Sequence, residues 1–301
     1  MYESFYGFKE KPFSLLPDPS FLYLSKKHSM AVAMLQYSLV SRSSITVLSG
    51  EIGSGKTTLI RHVLRQLDDN VAIGLISNTH RNFGELLQWV SLAFGLEFEK
   101  KGKVALYQQF MNFLLDRYKH GQRSVLVIDE AQNLSTEALE ELRLLSNINA
   151  DKDYVLQLIL VGQPELRQRL RRPELEQFIQ RVAVAYNLKP FTPEETDDYI
   201  MHRLQVAGGD PDIFDAGARR FIHHQSGGIP RLINILCDTA LVYGFADHKK
   251  RISTDTVYVV VEDKIRGGVL ATRKREKTES EKAVVQNSSL YPQQRRLIVP
   301  R

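Results

Sequence analysis

Residues 44–58 read Ser44-Ile-Thr-Val-Leu-Ser-Gly-Glu-Ile-Gly-Ser-Gly-Lys-Thr-Thr58. Ile45 to Leu48 is a short, largely β-branched apolar run of the kind that forms a buried strand. Three glycines follow, at 50, 53 and 55, and then Lys56 to Leu67, whose apolar residues recur at helical spacing. Gly50 to Thr57 thus fits the pattern G-x-x-x-x-G-K-[ST] in the strand-to-helix setting that its mechanism needs. Glycines let the backbone wrap closely around an anion, so that successive N–H groups and the positive end of the helix face phosphate. The stretch predicts a nucleotide cradle made of Gly50, Gly53, Ser54, Gly55, Lys56, Thr57 and Thr58. Lys56 neutralises the β- and γ-phosphates of ATP, Thr57 offers its hydroxyl to Mg²⁺, and Thr58 supports the pocket.

The second half of the site is Ser124-Val-Leu-Val-Ile-Asp129-Glu130. An apolar strand here delivers two adjacent carboxylates to its C-terminal end, which is where open parallel sheets bind ligands. Asp129 is expected beside the Mg²⁺ shell and Glu130 beside the attacking water. An aspartate alone would hold the metal, so the added Glu130 favours ATP hydrolysis over a non-catalytic nucleotide switch.

Outward from these motifs, the chain from Ser44 to Val261 alternates apolar runs with stretches of helical period, the pattern of an α/β protein. Five parallel strands are predicted at Ile45–Leu48, Val71–Ile76, Val125–Ile128, Leu156–Val161 and Val182–Asn187. Helices are predicted at 56–67, 83–94, 104–118 and 136–145. After Asn187 the strands stop. Thr192-Pro-Glu-Glu195 reads as a capping box with proline at the first helical position, opening a helix to about Val206. Further helices are expected at 215–224, 230–245 and 254–265. The domains expected are therefore an aromatic and proline-rich segment with a first helix packing on the core (1–43), a nucleotide-binding α/β domain (44–190), a helical lid (191–266) and a charged, disordered tail (267–301).

The formal charge of +5 resides in that tail, where eight basic residues face three acidic ones from Ala271 onward. Such a tail suits peripheral contact with DNA or with anionic lipid, and its composition does not choose between them. No apolar stretch approaches the roughly 20 residues of a membrane span. Met1 to Pro12 lacks the layout of a secretory signal, so a cytoplasmic protein is expected. The single cysteine, Cys237, is read as a small buried residue. His28 and the His223-His224 pair lack partners at metal-ligand spacing and are read as structural.

These motifs, together with Tyr6-Gly-Phe-Lys-Glu-Lys-Pro-Phe-Ser-Leu-Leu-Pro-Asp-Pro, Asp129-Glu-Ala-Gln-Asn-Leu134, Leu142-Arg-Leu-Leu-Ser-Asn147, Gly162-Gln-Pro-Glu-Leu166 and Gly228-Ile-Pro-Arg231, resemble the ExeA/GspA family of AAA+ ATPases up to about Gly267. The resemblance implies the P-loop NTPase fold of that class, a homo-oligomer, and a part in assembling a bacterial secretion, pilus or polysaccharide-export system, peripheral to the inner membrane. Larger members add a transmembrane segment and a peptidoglycan-binding domain, from which this sequence departs. The family is similar in core to transposition ATPases, which keeps a DNA-associated role as the alternative.

The same resemblance places Gln163 at the sensor 1 position, Arg181 at an arginine finger acting in trans, and Arg231 at sensor 2. Read alone, Gln163 also fits a turn amide before Pro164, and Arg181 a surface or strand-edge salt bridge. An arginine at a helix start, like Arg231, is disfavoured by the helix dipole unless an anion faces it. The aromatic N-terminal block is expected to pack across the adenine side or to serve as plain core.

Overall fold

The computed structural model describes residues 1–16, 18–77, 85–150 and 153–268. Its main sheet has five strands: β1 (Ile45–Gly50), β2 (Val71–Ile76), β3 (Arg123–Ile128), β4 (Leu156–Gly162) and β5 (Val182–Leu188). They are parallel and lie in the order β2-β3-β4-β1-β5. All five predicted strands form; β2 keeps its predicted bounds and the other four are longer by one or two residues where ladder pairing continues, as at Ser49 against Gly162 and Gly50 against Leu188. The central strands β1 and β4 are buried throughout, whereas the edge strands β2 and β5 alternate buried with exposed positions. Only strands covered on both faces need a continuous apolar run.

Successive side chains of β3 point to opposite faces, so this strand feeds two cores. Leu126 and Ile128 pack with Phe110, Leu114, Leu139 and Leu142. These come from the helices Lys103–Lys119 and Thr136–Leu145, and Leu86, Leu87 and Val90 of the helix Leu86–Ala93 join the same core. Val125 and Val127 pack on the other face with Leu35, Leu39, Leu59 and Val63, which belong to the helices Lys26–Val40 and Lys56–Leu64. The second of these is shorter than its apolar period suggests. It closes in tight turns, with Gln66 N–H on the Val63 carbonyl (3.1 Å) and Leu67 N–H on the Leu64 carbonyl (3.2 Å). The helix expected from Phe83 starts at Leu86, and residues 78–84 lie outside the described residues.

After β5 the chain turns helical, with Pro193–Val206, Ala216–Ser226, Pro230–Ala246 and Thr254–Arg266. The capping box forms as read: Glu195 N–H donates to Thr192 Oγ1 (3.2 Å) and Thr192 N–H to Glu195 Oε2 (2.9 Å). Gly228 is obligatory before the third of these helices, because its φ is +73° and a Cβ would sit 2.2 Å from the Phe191 carbonyl. The tail expected from Gly267 lies outside the described residues from 269 onward.

The N-terminal aromatics are not spread over the sheet. Residues 2–13 lie on the helices that follow β5. Tyr6 Oη donates to the Lys249 carbonyl (3.0 Å), Lys9 N–H to the Ala207 carbonyl (2.8 Å), and the Phe8 ring fills the space where Gly209 lacks a side chain. Arg203, buried, clips the segment in place. Its guanidinium donates to the carbonyls of Pro12 (2.5 Å) and Ser14 (3.4 Å) and stands 4.5 Å from the centre of the Phe21 ring. Arg203→Met keeps an apolar stem over Phe21 but removes those donors. It should cost about 1–3 kcal/mol in urea denaturation and speed tryptic cleavage at Lys9 severalfold. Unchanged digestion would show that the segment is held without Arg203.

Candidate active site

Strand register decides which residues meet. Ser49 pairs with Gly162 and Ile128 with Leu160, so β1, β4 and β3 end side by side and deliver Gly50, Gln163 and Asp129 to one edge of the sheet. The loop after β1 then turns sharply at Gly53 (φ +79°) and Gly55 (φ +93°) into the helix starting at Lys56. Side chains are excluded at two of its glycines. A Cβ at Gly50 would lie 2.7 Å from the Leu188 carbonyl, and one at Gly53 2.5 Å from Arg231 Cβ.

Lys56 is buried, and its ammonium donates to the carbonyls of Gly50 (2.8 Å) and Glu51 (2.9 Å). Burial holds its pKa below the ordinary lysine value, against the carboxylates of Glu130 and Asp129, which favour the charged form. Ser54 Oγ is buried without a protein partner, as a hydroxyl facing an anion would be. Thr57 Oγ1 donates to Asp129 Oδ2 at 2.7 Å. Among the described residues no cluster of three or more His, Cys, Asp or Glu could hold a metal. The hydroxyl–carboxylate oxygen pair fits an ion such as Mg²⁺, which retains water and shares itself with phosphate.

Glu130 follows in a left-handed backbone conformation (φ 54°, ψ 35°), a strain of about 1–3 kcal/mol in a residue with a side chain. Two amides hold its carboxylate: Gln163 Nε2 donates to Oε2 at 3.0 Å and Gln132 Nε2 at 2.5 Å. Gln132 also accepts the Gln163 backbone N–H through Oε1 (3.0 Å), and its own carbonyl accepts from Arg169 (2.6 Å). The sequence reading missed Gln132 and Arg169. The available signal was Gln132's place two residues past Glu130, in a segment that folds as a single 3₁₀ turn, Ala131–Asn133.

Lys56, Thr57, Thr58, Glu130 and Arg231 line one cavity. Arg231 lies in the first turn of Pro230–Ala246, and its N–H donates to the Gly53 carbonyl (3.2 Å). The far side is aromatic and amphipathic, built from Phe21, Tyr23, Phe191, Tyr199, Arg203 and Asn234, with Tyr199 Oη donating to Asn234 Oδ1 (2.7 Å). Arg181 is not brought to this cavity. It precedes β5 and lines a separate cleft with Arg42, Arg143 and Ser44. Among the described residues its guanidinium has no ion pair.

The model of a family described as AAA domain matches residues 39–170. General secretion pathway protein A of Aeromonas hydrophila is 42% identical over 253 residues, covering 84% of this chain and 46% of that protein. The Mu-like prophage FluMu DNA transposition protein B of Haemophilus influenzae is 28% identical over 137 residues, 46% of this chain and 44% of that protein. The chain thus spans less than half the length of either relative. Among solved structures, ORC2 of Aeropyrum pernix in its ADPNP-ADP complexes superposes with a TM-score of 0.62 at 17% identity, over 85% of this chain and 72% of that chain. At that identity the likeness is one of fold: a P-loop NTPase sheet with helices. No helix among the described residues is long and apolar enough to cross a membrane.

Gln132→Leu keeps the bulk of the side chain but removes both of its amide contacts. It should lower ATP turnover on the order of 10²-fold with little change in nucleotide Kd. Turnover at the wild-type rate would show that Gln163 alone suffices to hold Glu130.

Proposed function

We propose that this chain, which has a P-loop ATPase fold, matches an AAA-domain model and is similar to general secretion pathway protein A, binds Mg·ATP at the edge where β1, β3 and β4 end and hydrolyses it. The observation that carries the reading is the convergence there of Lys56, the Thr57–Asp129 pair and a Glu130 carboxylate held by two amides.

In this reading the loop from Gly50 to Gly55 and the start of the following helix cradle the phosphates, and Lys56 supplies the neutralising charge. Thr57 and Asp129 would hold Mg²⁺. When bound, the ion would offset charge on the β- and γ-phosphate oxygens. Glu130 takes a proton from the attacking water, and Gln163 helps to aim that water. Arg231 faces the phosphates from the helix start, where its charge needs an anion. The aromatic side of the cavity takes the base.

An oligomer would give Arg181 its role. It lines a cleft away from its own cavity and has no ion pair among the described residues, which supports a reading in which it reaches the phosphate of a neighbouring copy. The division into an α/β domain (44–190) and a helical lid (191–266) belongs to this proposal, with lid movement coupled to turnover. By its similarity to general secretion pathway protein A, the chain would serve a cell-envelope secretion, pilus or export system, working in the cytoplasm at the periphery of the inner membrane. Similarity to transposition protein B supports a second reading, a DNA-associated ATPase.

Steady-state ATPase rate against protein concentration tests the proposal. Specific activity should rise with concentration. Glu130→Gln should lose at least about 10²-fold in turnover while still binding ATP, and Arg181→Ala on the order of 10³-fold. A rate independent of concentration and of Arg181 contradicts the oligomeric site, and strong stimulation by double-stranded DNA favours the second reading.

A further inference from the structure

His28, read from the sequence as structural, reaches the phosphate loop. It lies in the first turn of Lys26–Val40, is 4% exposed, and its Nε2 stands 3.3 Å from the Ser54 carbonyl oxygen. The ring is flush with the loop: a Cβ built on Gly55 would lie 3.7 Å from Nε2. On its other side the imidazole packs against Phe191, with ring centres 4.9 Å apart.

The hydrogen bonds admit one neutral tautomer. A carbonyl oxygen only accepts, so Nε2 must carry the proton, and Nδ1 is then the acceptor, bound by the Ser25 hydroxyl at 2.9 Å. Ser25 Oγ in turn accepts the His28 backbone N–H as the helix cap. Burial lowers the imidazole pKa, in keeping with a neutral ring. Lys27, one residue earlier, donates to the Pro190 carbonyl (2.7 Å) and to Glu195 (3.1 Å), so this first turn is fixed from both sides.

A trans peptide directs its C=O and its N–H to opposite sides. Holding the Ser54 carbonyl against His28 therefore turns the Gly55 N–H, in the same peptide unit, away from the imidazole. One peptide earlier, Arg231 N–H binds the Gly53 carbonyl (3.2 Å), and the N–H of that peptide unit, on Ser54, donates to the Glu51 carbonyl (3.1 Å). Two successive carbonyls of the loop are thus anchored by elements outside the α/β sheet.

We infer that His28 is a positioning residue of the phosphate cradle, whose Nε2–H anchors the Ser54 carbonyl so that the Gly55 amide is presented to phosphate before nucleotide arrives. The inference rests on the nucleotide-binding reading above. It assigns to the first helix a share in phosphate binding separate from packing.

The test compares His28→Phe, which fills the space without a donor, with His28→Gln, whose Nε2 stands where the imidazole Nε2 does. ADP and adenosine affinities are measured by calorimetry, and thermal stability without nucleotide serves as the check on packing. His28→Phe should bind ADP about tenfold more weakly, with adenosine affinity close to wild type and a cooperative unfolding transition whose Tm is lowered by the lost donor. His28→Gln should recover most of the ADP affinity.

Wild-type ADP affinity in His28→Phe, or a Gln variant as weak as the Phe variant, overturns the inference while leaving the nucleotide site intact. Wild-type protein that binds no ADP removes the nucleotide reading and this inference with it. Should His28→Phe fail to fold, the imidazole ¹⁵N spectrum of the wild-type protein decides: a proton on Nε2 upholds the assignment, and one on Nδ1 overturns it.

Discussion

The parallel register of β1, β4 and β3 is the constraint on which the rest of the molecule depends. Because Ser49 faces Gly162 and Ile128 faces Leu160, three strands stop at one level, and the residues just beyond them form a single constellation. A one-residue slip in any of these pairs would move Asp129 away from Thr57, or Gln163 away from Glu130, and would also exchange the two buried faces of the strand. Packing therefore enforces the register that the chemistry needs: Val125 and Val127 cannot trade places with Leu126 and Ile128 without emptying both cores.

Around that edge, segments distant in sequence fix the loop proposed to meet phosphate. The helix Pro230–Ala246 presses Arg231 against Gly53, His28 holds Ser54, and Phe191 sits between the imidazole and Gly228. The helices that follow β5 are themselves strapped by residues 2–13, through Arg203 and through aromatic rings seated on them. A shift of these helices would act directly on Gly53. This gives a physical route by which nucleotide state and helix position affect one another.

The sequence was most legible where one physical rule acts alone. Thr136–Leu145 and Pro193–Val206 form over the residues expected, because a Ser or Thr cap and an apolar stripe define each without help from elsewhere. The Gly50–Thr57 loop and the Asp129-Glu130 pair, proposed to hold nucleotide, were legible because each is a contiguous motif of fixed spacing. Gln132 was not, since its role arises from the left-handed backbone of Glu130 and the turn after it, neither of which leaves a periodic trace. His28 was hidden for a related reason. A lone histidine on an apolar helix face gives no sign that the loop it touches lies 26 residues away. The aromatic block announced that it would pack, through its composition, but not that its seat is the helices after β5. Arg181 could be placed at the start of β5 from sequence, whereas its lack of an ion pair among the described residues needed coordinates.

The central claim is that these residues, as arranged, hold Mg·nucleotide. A crystal structure with ADP, Mg²⁺ and a γ-phosphate mimic tests it most directly. The account predicts an ion about 2.0–2.1 Å from Thr57 Oγ1, Asp129 beside its shell, Lys56 withdrawn from the Gly50 and Glu51 carbonyls onto phosphate, and Glu130 still gripped by Gln132 and Gln163 while facing the mimic. Nucleotide bound elsewhere, or an ion with no contact to Thr57 while Lys56 stays on the loop carbonyls, would contradict it.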